Sequence, residues 1–137
     1  MDDGTFDLVV SALAMTHAAD LDRAVTALSR AARPDGRVVV TEVHPFNAAL
    51  GAHPNFSLDE TTVGSIHNAD YTISDYIRAF DRAGLAIVDL HEPAFREADA
   101  DAMSAAFVAG LGQNAVAAFR AALIGIPMAV IWDLRKK

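Results

Sequence analysis

The sequence contains no cysteine, which excludes disulfide bridges, thiolate zinc sites and a cysteine nucleophile. It is also poor in positive charge: 11 lysine and arginine residues stand against 18 aspartate and glutamate residues, a formal net charge of -7. A surface this acidic repels phosphate backbones and anionic lipid head groups. We therefore expect a cytoplasmic protein that binds neither nucleic acid nor membranes.

Long apolar segments are missing as well. No apolar run reaches the roughly 20 residues that cross a bilayer, and the start lacks the basic and apolar regions of a signal peptide. The length of 137 residues suits one domain, and a hydrophobic content of 53% is enough for one core. We expect a single soluble domain over residues 1–137 that is not exported.

The first third of the chain alternates strand and helix patterns. Residues 6–12 form an apolar run, residues 21–32 carry apolar side chains at helical spacing after a capping Asp20, and residues 37–43 are mostly β-branched. Between the last two, Arg33-Pro34-Asp35-Gly36 is typical of a turn. This strand, helix, strand unit predicts two parallel strands joined by a right-handed crossover.

The rest of the chain begins with a segment that has no sustained period. Residues 44–71 are long for a loop inside one domain, which indicates a functional loop or lid. Tyr71 and Tyr76 flank a capping box in positions that favour packing on each other, although they are also candidates to line a pocket. The later patterns predict a helix from Ile73 to Gly84, a strand, two helices and a last strand: residues 85–90, 96–109, 113–123 and 128–134.

Four pieces of the first third carry a family resemblance. Asp3 to Ser11, the Leu21 to Arg30 helix, Arg33 to Val40 and the following Glu42-Val43-His44-Pro45 resemble, in this order, the second half of a class I S-adenosylmethionine-dependent methyltransferase. Later features that look like the last two strands of that family are Tyr71 to Tyr76, Arg82 to Leu85, Glu92-Pro93 and the closing Ile126-Pro127 strand with its basic tail.

The resemblance implies an α/β fold, a partial Rossmann-like methyltransferase sheet flanked by helices. It would hold the last four strands of the family's sheet, in the order first, second, fourth, third, with the final strand antiparallel. The family's glycine-rich cofactor loop has no counterpart here, so the resemblance implies a truncated domain. S-adenosylmethionine would then bind weakly or not at all to this chain alone.

The resemblance also implies methyl transfer to a small-molecule acceptor, with residues 44–71 as the loop or lid on the acceptor side. Ser11, Ala12 and Leu13 end the first strand and would lie beside the methionine end of the cofactor. His17 and His44 follow the ends of the first two strands, where ligands of open α/β sheets bind, and either could orient or deprotonate the acceptor.

The other histidines and the first strand lead to two further expectations. His53, His67 and His91 lack metal-ligand spacing, so no metal site is expected. The Phe6 to Ala12 strand would have an uncovered edge, which favours self-association or a partner chain.

Two alternatives stay open. The chain could be a non-catalytic remnant or an interaction module. Gly110 to Ala115 also fits the dinucleotide fingerprint G-x-G-x-x-A, with Asp133 about 20 residues on. The fingerprint needs a preceding strand, however, and the alanine-rich residues 103–109 favour a helix.

Overall fold

Six strands and five helices make up the part of the chain that the computed structural model describes, which is residues 4–49, 54–59, 61–66, 69–108 and 110–137. The elements are β1 (Phe6–Ala12), α1 (Leu21–Ala31), β2 (Ala32–Val43), α2 (Pro45–Ala49), β3 (Asn55–Ser57), β4 (Val63–Ser65), α3 (Ile73–Arg82), β5 (Leu85–His91), α4 (Glu97–Phe107), α5 (Gln113–Leu123) and β6 (Ala129–Lys136). A 3₁₀ turn, Met15–His17, lies between β1 and α1.

The main sheet has four strands in the order β1, β2, β6, β5. The strands β1 and β2 are parallel, and β6 lies antiparallel between β2 and β5. Both the predicted strand order and the predicted antiparallel last strand are confirmed. The helix α1 connects the two parallel strands, and its apolar stripe packs against the sheet.

The core lies on one face of this sheet, under α1 and α3. Alternate residues of the strands, such as Val40 and Trp132, point to this face and are fully buried. The α3 side chains Tyr76 and Phe80 pack on the Trp132 ring, with centroid distances of 6.2 and 5.2 Å. Packing of these aromatic side chains therefore stabilises α3, which is too short to be stable alone.

The helix α3 starts at the predicted capping box. The Thr72 hydroxyl accepts a hydrogen bond from the Asp75 amide, and the Asp75 carboxylate accepts one from the Thr72 amide at 2.8 Å. The Tyr71 and Tyr76 rings meet edge to face at 6.2 Å, as the predicted staple requires. The chain therefore enters α3 in one fixed direction.

The predicted start of β2 at Arg37, after a turn at residues 33–36, is wrong. The strand β2 already begins at Ala32, and residues 33–36 form a bulge in it, because five residue steps of β2 pass opposite two of β1 between the pairs Phe6–Ala32 and Leu8–Arg37. Asp35 adopts a left-handed conformation there, with φ of 59°. The last strand also continues to Lys136, two residues beyond its predicted end at residue 134.

The segment over residues 44–71 is not structureless. It contains the short helix α2 and a hairpin formed by β3 and β4, which pair antiparallel. The three-residue strands are too short to show a period in the sequence, which is why the prediction missed them.

The dinucleotide interpretation of Gly110 to Ala115 is wrong. Residues 97–107, which precede it, belong to the helix α4, so a helix lies where the fingerprint requires a strand. The glycines break the chain between α4 and α5, and a side chain at Gly110 or Gly112 would meet no neighbouring atom.

Acidification should remove the contribution of Asp75 to stability. Hydrogen bonds from the Thr72 hydroxyl and amide, and then the one from Arg78, lower the pKa of Asp75 from 3.8 to about 2. A carboxyl group with a lowered folded-state pKa stabilises the fold above its unfolded pKa, and this stabilisation is lost as pH falls through the folded pKa. We expect Asp75→Asn to flatten the pH dependence of the unfolding free energy between about pH 5 and pH 2, by about 1 kcal/mol or less because the site is exposed.

Urea denaturation at a series of pH values measures this effect. Ser74→Ala, in the same helical turn, retains the carboxylate and should keep the wild-type pH profile. Parallel profiles for Asp75→Asn and the wild type would contradict the assignment.

Candidate functional site

The carboxyl ends of three strands meet at one edge of the sheet. The strands β1, β2 and β5 run in the same direction, so Ala12, Val43 and His91 end at this edge and the start of β6 joins them. Ligands of open α/β sheets bind outside such an edge. The loops that follow these strands therefore form the candidate site.

A buried glutamate holds the loop that follows β1. Glu42, near the end of β2, is 1% exposed. Its Oε1 accepts hydrogen bonds from the amides of Ala14 at 3.0 Å and Met15 at 2.7 Å, and its Oε2 accepts one from the Thr16 hydroxyl at 3.3 Å. The end of β2 thus fixes the loop after β1 by hydrogen bonds to a single carboxylate.

The sequence contains a signal for the buried position of Glu42. Val38, Val40 and Glu42 alternate along β2 and so point to the same face of the sheet, which is the buried face. A charged residue in a buried register needs hydrogen-bond partners, and the backbone amides of a neighbouring loop provide them. Such a residue near the end of an apolar strand marks a loop that must be held.

The three predicted cofactor residues have different surroundings. Ser11 is buried, and its hydroxyl has no hydrogen-bond partner among the described residues. Ala12 is exposed, and Leu13 is 56% exposed with a left-handed φ of 52°. The Leu13 amide donates to the Thr41 carbonyl at 2.8 Å, which holds this strained conformation in place. Ala12 and Leu13 can therefore face a ligand, with Ser11 beneath them.

His17 ends the 3₁₀ turn and is exposed. The turn is tied to the chain before α3, because the Ala69 amide donates to the Thr16 carbonyl at 2.8 Å and the Tyr71 hydroxyl donates to the Ala18 carbonyl at 2.7 Å. His17 thus lies in a loop that is fixed from two sides.

Both ring nitrogens of His44 have partners. Nδ1 accepts a hydrogen bond from the Phe46 amide at 3.1 Å, so the proton is on Nε2, which donates to Glu92 Oε1 at 2.9 Å. The first bond caps α2, and the second joins the end of β2 to the residue after β5. His44 therefore has no free lone pair for an acceptor proton in this arrangement.

A cavity of about 260 Å³ opens between α2 and the residues before α3. Its lining is mostly apolar and includes the predicted Tyr71, whereas Tyr76 lies in the core. The lining residues are His44, Pro45, Phe46, Ala49, Asp70, Tyr71, Thr72 and Ile73. The cavity lies beside the loop after β1 that Glu42 binds, which we call the Glu42-held loop. The Ala69 amide and the Tyr71 hydroxyl, from the segment before α3, donate hydrogen bonds to this loop.

The remaining histidines and acidic groups do not form a metal centre in the described ranges. No group of three histidine, aspartate or glutamate residues that could hold an ion is found there. His91 is exposed at the end of β5, and His53 and His67 lie outside the described residues. Within the described part of the chain, no helix is long and apolar enough to span a membrane.

Comparisons with known proteins show which fold this arrangement shares. A family model described as a methyltransferase domain matches residues 1–40, which contain β1, α1 and the first part of β2. An S-adenosylmethionine-dependent methyltransferase from Mesorhizobium loti has 19% identity and a TM-score of 0.63, over 98% of this chain and 64% of that one. The fold is that of a class I S-adenosylmethionine-dependent methyltransferase. The resemblance noted in the sequence is confirmed.

Two further solved structures share the methyltransferase fold. Geranyl diphosphate C-methyltransferase from Streptomyces coelicolor, in complex with Mg²⁺, geranyl diphosphate and S-adenosyl-L-homocysteine, has 14% identity and a TM-score of 0.58, over 99% of this chain and 49% of that one. A Haloferax volcanii protein in complex with the Trm112 methyltransferase activator has 17% identity and a TM-score of 0.59, over 98% and 55%. The chain thus spans about half to two thirds of these methyltransferase-fold chains. No curated protein sequence matches it.

Replacing Glu42 should loosen the loop of this methyltransferase fold. Glu42→Ala leaves the amides of Ala14 and Met15 and the Thr16 hydroxyl without this charged acceptor, and we expect a loss of about 3–5 kcal/mol in the unfolding free energy. Glu42→Gln keeps one acceptor oxygen and should cost about 1–2 kcal/mol. Urea denaturation measures both values, and amide hydrogen exchange at Met15 reports the loop itself.

Glu97→Ala is the matched control, because its side chain is 79% exposed and its loss should change stability by less than about 0.5 kcal/mol. A cost below about 1 kcal/mol for Glu42→Ala, or unchanged exchange at Met15, would show that the carboxylate does not hold the loop.

Proposed function

We propose that this chain forms one wall of an S-adenosylmethionine site and an acceptor pocket, and that it serves methyl transfer to a small-molecule acceptor. The observation that carries the proposal is the Glu42-held loop at the strand edge, with the cavity on the same rim. Ala12 and Leu13 would contact the methionine end of the cofactor, supported by Ser11. Binding by this chain alone should be weak, because tight small-molecule sites enclose most of the ligand.

S-adenosylmethionine supplies an electrophilic methyl group on a sulfonium centre. The residues of this chain would contribute position and exclusion of water rather than chemistry of their own. The left-handed Leu13 fits this function, because its exposed side chain is held by a backbone hydrogen bond rather than by contacts that a ligand would displace. The apolar cavity walls would keep water away from the acceptor.

We assign different roles to the two histidines. His17 is exposed and follows the held loop, so it is the residue to take a proton from an acceptor that needs deprotonation. His44 is a positioning residue, since its ring nitrogens hold Phe46 and Glu92 and its ring lines the cavity. A small-molecule acceptor is supported by the neighbour from Streptomyces coelicolor, which holds geranyl diphosphate.

A second candidate function is that of an interaction module. The strand β1 is an outer strand of the sheet, and its side chains Phe6, Leu8 and Val10 are exposed. An exposed apolar edge favours pairing with a second chain, either another copy or a different partner. The neighbour that forms a complex with an activator protein supports a partner chain.

Calorimetric titration with S-adenosylhomocysteine distinguishes the two functions. We expect weak, saturable binding that Leu13→Asp reduces at least about fivefold, the loss of one contact worth about 1 kcal/mol. Leu8→Asp changes a similarly exposed leucine at the other end of β1, and it should leave this affinity unchanged.

A flat titration combined with a dimer that Leu8→Asp dissociates would contradict the methyltransferase proposal and favour the interaction module. Light scattering on the same samples gives the oligomeric state.

A further inference from the structure

In the sequence, the hairpin of β3 and β4 lies between the two segments whose residues form the walls of the cavity. Its base is closed by the Ile66 amide, which donates to the Pro54 carbonyl at 2.9 Å. The wall at Ala49 is five residues before this base, and the wall at Asp70 is four residues after it. An extended residue spans at most about 3.5 Å, so the base lies within about 18 Å of one wall and about 14 Å of the other.

The hairpin has one apolar face. Paired residues of antiparallel strands point to the same side, and side chains alternate along each strand. The pair Phe56–Gly64 therefore shares a face with Leu58 and Ile66, whereas the pair Ser57–Val63 points to the other face with Ser65. We refer to Phe56, Leu58 and Ile66 as the hairpin face.

The hairpin face is open to solvent. Its three side chains are 46%, 66% and 49% exposed, in chain order. The Phe56 ring lies over Gly64, where an added Cβ would approach it to 2.6 Å. Asp59 is the charged residue among those described in the hairpin, and its carboxylate is occupied by the amides of Thr61 and Thr62. None of the described residues at the positions of the hairpin face is charged.

The cavity and the charge of the protein limit the ligand. A volume of about 260 Å³ is at or below the lower end of typical small-molecule pockets, about 300 Å³, so a larger apolar molecule must extend beyond it. Phe46 lines the cavity and is itself half exposed, which continues the apolar wall outwards. The net charge of -7 and the carboxylate of Asp70 in the lining disfavour an anionic ligand.

We propose that the hairpin face and Phe46 bind the hydrocarbon part of the methyl acceptor, which carries a neutral or cationic polar end, an alcohol or an amine, in the cavity beside His44 and Asp70. This inference rests on the proposed function, since it names the acceptor class of that site. Burial of the hydrocarbon would cover the apolar side chains that the hairpin exposes.

Titration of the isotope-labelled chain with linear alcohols tests this inference by NMR. Hexanol, octanol and decanol should produce saturable shifts at Phe46, Ile73 and the hairpin face. Affinity should rise about two- to fourfold for each added methylene group. Octylamine should bind at least as tightly as octanol, and octanoate at least about fivefold more weakly because of its charge.

Two variants and a matched control locate the contact. Leu58→Ser and Ile66→Ser each remove one side chain of the hairpin face and should weaken octanol binding about five- to tenfold. Val63→Ser changes an equally apolar residue that is 69% exposed on the opposite face, and it should leave the affinity within twofold. Amide contacts across the Ser57–Val63 pair verify that the hairpin is formed in each variant.

Several results would overturn the inference. These are the absence of saturable alcohol binding, equal losses for Val63→Ser and Leu58→Ser, and shifts at the hairpin face that depend on protein concentration without ligand, which indicate a second copy. Binding to phosphatidylcholine vesicles that Leu58→Ser abolishes, without alcohol binding, would assign the face to a lipid surface. The alcohol titration contains no S-adenosylhomocysteine, so failure of cofactor binding and failure of this inference are observed separately.

Discussion

One buried carboxylate determines the geometry of the candidate site. Burial of Glu42 is costly unless its oxygens are hydrogen-bonded, and the amides of Ala14 and Met15 and the Thr16 hydroxyl satisfy this requirement. The loop that provides these donors also accepts hydrogen bonds from Ala69 and Tyr71. The end of β1, the end of β2 and the cavity wall before α3 therefore form one connected frame.

The charge of Glu42 also affects the core below this frame. Burial, and then the negative charge of Glu42, raise the pKa of Tyr76 above its ordinary value, so the phenol stays protonated. The Tyr76 hydroxyl, the Trp132 indole N–H and the Ser11 hydroxyl are buried atoms without partners among the described residues.

Much of the sheet could be predicted from the sequence, because buried strands and amphipathic helices leave clear periods. The run from Phe6 to Ala12 became β1 with the same bounds, and the apolar stripe after Asp20 became α1. The bulge in β2 could not be predicted, since it places a non-glycine residue, Asp35, in the left-handed region. The β3 and β4 strands have three residues each, too few for a period.

The site was less predictable than the sheet. Ser11, Ala12 and Leu13 were reached only through family resemblance, and their separation into one buried and two exposed residues depends on the register of β1 with β2. The pairing of His44 with Glu92 joins residues 48 positions apart, so no local pattern could indicate it. The burial of Glu42 could be predicted from the sequence, because Glu42 alternates with the buried residues Val38 and Val40 along β2.

Intermolecular NOEs between S-adenosylhomocysteine and the methyl-labelled chain test most directly whether the end of β1 is a cofactor wall. We expect contacts between the methylene protons beside the ligand sulfur and the Leu13 methyl groups. Contacts to Leu8 in place of Leu13, or no contacts at a saturating ligand concentration, would contradict this assignment.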